Sequence, residues 1–286
     1  MSKILVTGGA GYIGSHILVE LLSRGHNVVV IDNLSNSSIE SIYRVEKISQ
    51  KKITFHNIDI LNKSALKKVF SNNKFDAVIH LAGLKSVGES VAQPLLYYNN
   101  NISGTLNLLE IMNYYECKNL IFSSSATVYG NPVKLPIFEQ HELHTTNPYG
   151  ATKLMIENMC RDISLSDPLW HILLLRYFNP VGAHESGTIG EDPMGHPNNL
   201  MPYIMQVATG EQSVVNIFGG DYPTNDGTAI RDYIHVVDLA RGHLAAVESL
   251  SNFHGCTAIN LGTGHPYSVL EVIKAASHAV GYNIPY

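Results

Sequence analysis

The segment Tyr149-Gly150-Ala151-Thr152-Lys153 sets a phenol and an ammonium four residues apart at the start of a helical pattern, so both project from one face. Such a pair suits general acid–base work on a hydroxyl. A free phenol has a pKa of about 10, and a base working near neutrality needs that lowered by about 3 units, or roughly 4 kcal/mol. On spacing alone the alternative is an ordinary helix-surface Tyr/Lys pair. The preceding segment favours chemistry: Asn119–Phe122 reads as a strand running into Ser123-Ser124-Ser125, and hydroxyls at the carboxyl end of a central parallel strand face the ligand crevice. Ser125 could bond the same substrate oxygen as Tyr149; otherwise it is a polar turn. It is no hydrolase nucleophile, because the G-x-S-x-G elbow is absent.

A second group of residues points to a dinucleotide. Thr7-Gly8-Gly9-Ala10-Gly11-Tyr12-Ile13-Gly14 follows a strand pattern and opens a helix, with glycines at Gly8, Gly11 and Gly14. Glycine permits the tight turn and the close approach of a pyrophosphate, whose charge faces the free N–H groups of the helix start. Asp32 ends the second strand pattern 18 residues after Gly14, where a carboxylate can accept from an adenosine ribose diol. That carboxylate would repel a 2′-phosphate, and no arginine follows in Asn33-Leu34-Ser35-Asn36, so NAD is expected over NADP. A P-loop is excluded because no Lys-Ser/Thr pair follows the glycines. An oxidised nicotinamide ring would then join Lys153 in lowering the Tyr149 pKa.

These residues need elements that bring strand ends together. Strands are expected at Lys3–Thr7, Asn27–Asp32, Lys52–Asn57, Phe75–Leu81 and Asn119–Ser123, with helices near Tyr12–Arg24, Ser38–Ser49, Lys63–Phe70 and Pro94–Tyr115. A helix over Tyr149–Leu165 leads into a buried strand, His171–Tyr177. From Pro180 to Gly227 glycines and prolines dominate, with helical pattern only around Met201–Thr209. Regular pattern returns with a helix at Val236–Leu250, a strand at Ala258–Leu261 and a helix at Val269–Val280. The expected class is α/β: a Rossmann-type doubly wound parallel sheet over residues 1–179, and a smaller substrate-binding lobe from 180–286 of which about 235–262 return to the main sheet.

Composition excludes several other classes. With 45% hydrophobic and 15% charged residues the chain can build a sizeable core, unlike a disordered tail or a coiled coil. Nineteen Lys+Arg against 24 Asp+Glu give a net charge of −5 with no basic run, so nucleic acid is not an expected partner. Apolar runs such as Val28–Ile31 and Ile172–Leu175 are strand-length, far short of the roughly 20 residues of a membrane helix. The first such run begins at Ile4 and leaves no room for a leader, so a cytoplasmic protein is expected. Cys117, Cys160 and Cys256 are odd in number and far apart, which suits neither disulfides nor zinc. His141-Glu142-Leu143-His144 is one residue short of H-E-x-x-H and sits in a Pro-flanked, loop-like stretch, so no metal is expected.

Taken together, the glycine loop, the Tyr-x-x-x-Lys pair and the upstream serine resemble the extended short-chain dehydrogenase/reductase superfamily, and within it the nucleotide-sugar 4-epimerases. The resemblance is carried by Gly8–Ser15, Ile31–Asn36, His80–Lys85, Ser123–Gly130, Leu175–His184, Pro197–Tyr203 and Asp226–Val236, and spans Lys3 to about Ser277. It implies NAD-dependent epimerisation at C4 of a UDP-hexose, the interconversion of UDP-galactose and UDP-glucose through a 4-keto sugar. Tyr149 would take the proton of the 4′-hydroxyl, Lys153 would lower the phenol pKa and hold the nicotinamide ribose, and Ser125 would assist. Besides the three glycines, the resemblance assigns Tyr12, Ile13, Asp32, Asn33, Asn36, Ser37, Asp59, Ile60, Leu81, Ala82, Lys85, Asn100 and Tyr177 to the cofactor. It assigns Lys85, Asn179, Asn199, Leu200, Phe218 and Arg231 to the UDP-sugar, with Phe218 near the uracil and Arg231 on the diphosphate. Other readings of those last residues are an ion pair of Arg231 with Asp232 or Asp226, and a loop turn at Asn199.

A 4,6-dehydratase is disfavoured, because Ser125-Ala126-Thr127 offers no carboxylate to eliminate water. The alternatives are another epimerase or oxidoreductase of the same superfamily, or an NAD-binding protein without turnover. A homodimer through the helices around Pro94–Tyr115 and Tyr149–Leu165 is implied by the resemblance. The texture is similar to fungal members, which makes the chain a candidate for the epimerase part of a longer epimerase–mutarotase polypeptide. It stops at Tyr286, short of similar epimerases, without the later arginine-containing segment that the resemblance puts on the uridine diphosphate or the side chain that decides whether N-acetylhexosamines fit.

Overall fold

Alternation along the first strand decides the layers: Ile4 and Val6 pack on one side of the sheet, Leu5 on the other. The computed structural model describes residues 1–193, 197 and 199–286; Asn198, within the Pro197–Tyr203 segment, lies outside the described residues. In chain order the strands are β1 (Lys3–Thr7), β2 (Asn27–Asp32), β3 (Thr54–Asn57), β4 (Ala77–His80), β5 (Asn119–Ser125), β6 (His171–Tyr177), β7 (Asn179–Val181), β8 (Ile230–His235), β9 (Gly255–Leu261) and β10 (Pro266–Ser268). The helices are α1 (Tyr12–Ser23), α2 (Ile39–Ser49), α3 (Lys63–Ser71), α4 (Val87–Ala92), α5 (Pro94–Tyr97), α6 (Gly104–Tyr114), α7 (Pro148–Ser166), α8 (Leu200–Ala208), α9 (Val236–Ser249) and α10 (Val269–Val280).

Among the described residues the main sheet has seven strands in the order β3-β2-β1-β4-β5-β6-β9, and every pairing within it is parallel. It is the doubly wound α/β sheet expected from the alternating pattern. One core packs Ile17, Leu18, Ile42 and Leu239 of α1, α2 and α9 on its first face. The other packs Leu66, Leu108, Met112 and Ile156 of α3, α6 and α7 on the opposite face. Connections diverge on either side of β1, toward β2 and toward β4, and that reversal opens a crevice at the carboxyl ends of the strands. A third core joins α8 and α10 through Ile204, Val207, Val272 and Ile273, beside a small sheet of order β10-β8-β7. No helix among the described residues is long and apolar enough to cross a membrane.

The helix expected over Pro94–Tyr115 is interrupted. Between α5 and α6 the chain makes a π-helical segment, Tyr98–Ser103, rich in asparagine. Two local demands account for it. The buried Asn101 amide turns away from the helix to bond both backbone groups of Leu84, accepting from its N–H (2.8 Å) and donating to its carbonyl (3.0 Å), and also donates to Thr152 Oγ1 (3.1 Å). Gly104 lies against Ile60, whose Cδ1 would stand 2.5 Å from a Cβ there. Helix α4, absent from the sequence reading, is capped by Ser86, which accepts from Glu89 N–H at 3.3 Å. Strands β7 and β8 fall in or beside the stretch read as loop-rich, and β10 just before α10; β7 and β10 have three residues each, too few for a period of two to show.

Asn101→Ala leaves both Leu84 backbone groups without their side-chain partner. It is expected to lower the unfolding free energy by about 2 kcal/mol, read as a lower urea midpoint.

Candidate active site

Between β1 and α1 the backbone passes where no side chain fits. Gly8 has φ +72°, and a Cβ there would lie 2.7 Å from the Ala82 nitrogen; one on Gly14 would lie 2.4 Å from the Gly8 carbonyl oxygen. Gly11 differs, since the nearest atom to a Cβ there is 3.4 Å away. Protein packing does not require glycine at that point, which leaves close approach of a ligand as the reason for it. Gly11 is the N-cap of α1 and supplies no side-chain cap to the first turn, which Tyr12 and Ile13 open. At the end of β2 the buried Asp32 carboxylate accepts from Ala10 N–H (3.0 Å), Leu34 N–H (2.9 Å) and the Ser37 hydroxyl (2.9 Å), so it ties the glycine loop to the next strand end.

The neighbouring strand ends continue the same rim. Asn33 Nδ2 donates to Asp59 Oδ2 at 2.9 Å, Ile60 is buried beneath α6, and Asn36 is exposed. Past β4, Leu81 N–H bonds the Thr7 carbonyl (3.0 Å) and Ala82 N–H the Thr7 hydroxyl (3.3 Å). Asn100 Nδ2 donates to Asn101 Oδ1 at 2.9 Å. The set fits a dinucleotide: an uncapped helix start at a glycine turn for a pyrophosphate, and carboxylates at two adjacent strand ends for ribose and base edges.

Helix α7 begins at a defined point because Asn147 accepts from Gly150 N–H (2.9 Å) and Pro148 occupies the first turn. Tyr149 and Lys153 then share the face toward β5. The buried Lys153 Nζ donates to the Ser123 carbonyl at 2.6 Å and stands 4.9 Å from the Phe122 ring centroid and 5.9 Å from that of Tyr149. Burial lowers its pKa to about 8, against the opposing pull of Glu157. Burial pushes the Tyr149 phenol up, and its hydrogen bond with the Ser125 hydroxyl pulls it partly back. In the chain by itself desolvation dominates at Tyr149, and Lys153 donates to a backbone carbonyl. Tyr177 is buried, bonds His243 through its hydroxyl, and is pushed up by burial.

Across the crevice the expected substrate residues are less uniform. Asn179 Nδ2 donates to the Asp232 carbonyl (3.0 Å), which pins β7 on β8. Asn199 is the N-cap of α8 without capping it, and Leu200 packs on the third core. Arg231 is exposed and donates to the Ile230 carbonyl (2.7 Å). Its alternative reading as an ion pair fails: Asp232 is taken by Thr263 and Gly264, and Asp226 by Thr228 and Ser268. Phe218 is 88% exposed and is not gathered with the others.

Sequence reading missed Glu191. Its Oε1 accepts from Lys85 Nζ (3.3 Å) and Asn199 Nδ2 (2.9 Å), joining the two walls. Tyr12 makes a second tie, donating to the Gly182 carbonyl at 2.7 Å. Both partners lie in irregular segments where spacing carries no signal.

Fold and site define a Rossmann-type α/β protein with a Tyr/Lys pair at its strand ends. The chain belongs to the NAD dependent epimerase/dehydratase family, whose model matches residues 4–262. It is 58% identical to UDP-glucose 4-epimerase 2 of Arabidopsis thaliana over 287 residues, covering 99% of this chain and 82% of that protein. It is also 58% identical to UDP-glucose 4-epimerase of Bacillus subtilis over 283 residues, covering 99% of this chain and 84% of the relative. The crystal structure of UDP-glucose 4-epimerase from Bifidobacterium longum in complex with NAD+ and UDP superposes with a TM-score of 0.97 at 53% identity, covering 100% of this chain and 85% of that one.

The Lys153 pKa has a consequence for stability. An unfolded lysine titrates near 10.5, so between about pH 8 and that value the unfolded chain binds more protons than the folded one, and stability rises with pH. The parent chain without NAD should therefore gain on Lys153→Met, by on the order of 3 kcal/mol, as denaturant unfolding is repeated from pH 7 to pH 10.

Proposed function

We propose that this chain interconverts UDP-galactose and UDP-glucose by NAD-dependent epimerisation at C4 of the hexose, through a 4-keto sugar. The observation that carries the reading is the buried Lys153 ammonium, 5.9 Å from the Tyr149 ring centroid and bonded to the Ser123 carbonyl, at the strand ends next to an uncapped glycine turn. The cofactor, when bound, takes a hydride from C4 and returns it to the other face of the ring.

The chain's own residues do the rest. Gly8, Gly11, Gly14, Tyr12 and Ile13 would hold the pyrophosphate on the start of α1. Asp32, with Asn33, Asn36 and Ser37, would take the adenosine ribose, Asp59 and Ile60 the base, and Leu81, Ala82, Lys85, Asn100 and Tyr177 the nicotinamide half. Tyr149 accepts the proton from the sugar 4′-hydroxyl and returns it, with Ser125 orienting that oxygen. Lys153 stabilises the phenolate and holds the nicotinamide ribose. Asn179, Asn199, Leu200, Phe218 and Arg231 would hold the UDP-sugar, Arg231 by charge on the diphosphate. Lys85 and Asn199 are joined by Glu191 at the mouth of the crevice, so a nucleotide sugar entering there meets a preassembled polar rim.

A second copy of the chain is the proposed protein partner. Leu95, Leu96, Leu106 and Met155 expose apolar surface on α5, α6 and α7, the helices of the expected dimer. Light scattering at micromolar concentration should give twice the chain mass, and a monomer would count against this.

Incubation with UDP-galactose and no added NAD, followed by chromatography, should yield UDP-glucose. Tyr149→Phe should retain NAD and lose turnover by orders of magnitude. Near-normal rates in that variant would remove Tyr149 from the role of base, and no conversion, with NAD supplied and with the C-terminal segment of similar epimerases restored, would overturn the epimerase reading.

A further inference from the structure

The face of α7 that carries Tyr149 and Lys153 continues one turn on to Glu157, four residues past the lysine and fully buried. Its carboxylate is surrounded by donors. Oε1 accepts from Ser124 Oγ (2.6 Å) and Arg176 Nε (2.9 Å); Oε2 accepts from Arg176 Nη2 (2.7 Å) and Arg161 Nη2 (2.6 Å). Arg176, also buried, extends Nη1 to the Tyr129 hydroxyl (2.7 Å) and the Glu139 carbonyl (3.1 Å). Successive residues of β5 thus meet successive turns of α7: the Ser123 carbonyl takes Lys153, and the Ser124 hydroxyl takes Glu157. A buried ion pair adds little net stability over well-packed apolar groups, so its place behind the reacting residues asks for another reason.

We propose that Glu157, held by Arg176 and Ser124, is a positioning residue: it fixes the Lys153 turn of α7 on the end of β5 and keeps the Lys153 ammonium charged. The inference rests on the roles assigned to Tyr149 and Lys153 above. The groups around Lys153 single out Glu157 as the anion. Strand β5 presents the Phe122 ring and Ser123 carbonyl, and α7 presents Tyr149 and Glu157. Strand β4 presents His80, which burial holds neutral with its pKa lowered to about 3. Strand β6 contributes Arg176, bonded to Glu157, and Tyr177, whose phenol burial keeps protonated. Only the Glu157 carboxylate among these opposes the desolvation of Lys153.

The two members of the ion pair should act on Lys153 in opposite directions, which a merely structural network would not do. Lysine labelled with 13C at Cε, with the Lys153 resonance identified by its loss in Lys153→Met, reports the titration in the full chain before and after NAD is added. In Glu157→Gln the Arg176 cation remains, and the Lys153 midpoint is expected to fall by about one pH unit, a tenfold loss of proton affinity. The alkaline limb of kcat for UDP-galactose should move down with it while KM changes less. In Arg176→Met, where Ser124 and Arg161 still hold the carboxylate, the midpoint is expected to rise. Unmoved midpoints, or shifts of the same sign, overturn the proposal, and Arg176→Met alone decides it if Glu157→Gln does not fold. A chain that stays inactive with NAD supplied and its C-terminal segment restored would sink the epimerase reading instead, and the titration of Lys153 would still be readable.

Discussion

The loop after β1 crosses the segment after β4 with backbone against backbone. No Cβ fits on Gly8 beneath Ala82 or on Gly14 over the Gly8 carbonyl, and everything at the crevice follows from that contact. It brings the start of α1 to the carboxyl end of the central strand and sets Ala10 within reach of Asp32. It also aims Tyr12 across the gap at Gly182, so the turn that forms the crevice reaches its opposite wall. A larger residue at either glycine would push apart two elements that the sheet order has already made neighbours.

Electrostatically, burial governs both reacting groups. Lys153 is buried on a single backbone acceptor, and Tyr149 is desolvated beside it. Both shifts push toward the uncharged forms, the reverse of what a phenolate–ammonium pair needs. Lys153 Nζ, 5.9 Å from the Tyr149 ring centroid, is the positive charge that the chain itself brings to that phenol. Arg176 shows the contrast, since a carboxylate meets its guanidinium on two nitrogens and its pKa rises despite burial.

Much of this was legible in the residues. The turn from β1 into α1 announces itself because glycines at three spaced positions have a steric reason that spacing alone displays, and Asp32 ends a strand of unbroken apolar residues. Tyr149 and Lys153 were legible because helical periodicity puts residues four apart on one face. The same spacing extends to Glu157, a signal present in the sequence but uninformative without knowing that Arg176 of β6 lies opposite. Glu191 and the π-helical segment were not legible, since each depends on partners far along the chain: Lys85 for the first, Leu84 and Thr152 for the second. The ion pairs considered for Arg231 were reasonable by proximity in sequence, yet Asp226 and Asp232 are occupied by loop groups that only the folded second lobe brings to them.

Asn101 has a mechanical consequence. One amide grips the chain just before Lys85 and, through Thr152, the turn of α7 just before Lys153. The segments that carry the two lysines flanking the crevice are therefore cross-linked through one side chain. On the other side, hydrogen bonds at Tyr12–Gly182, Lys85–Glu191 and Arg44–Thr188 tie the facing segment to that frame, so the crevice is bounded by one internally braced wall and one held to it by single side chains.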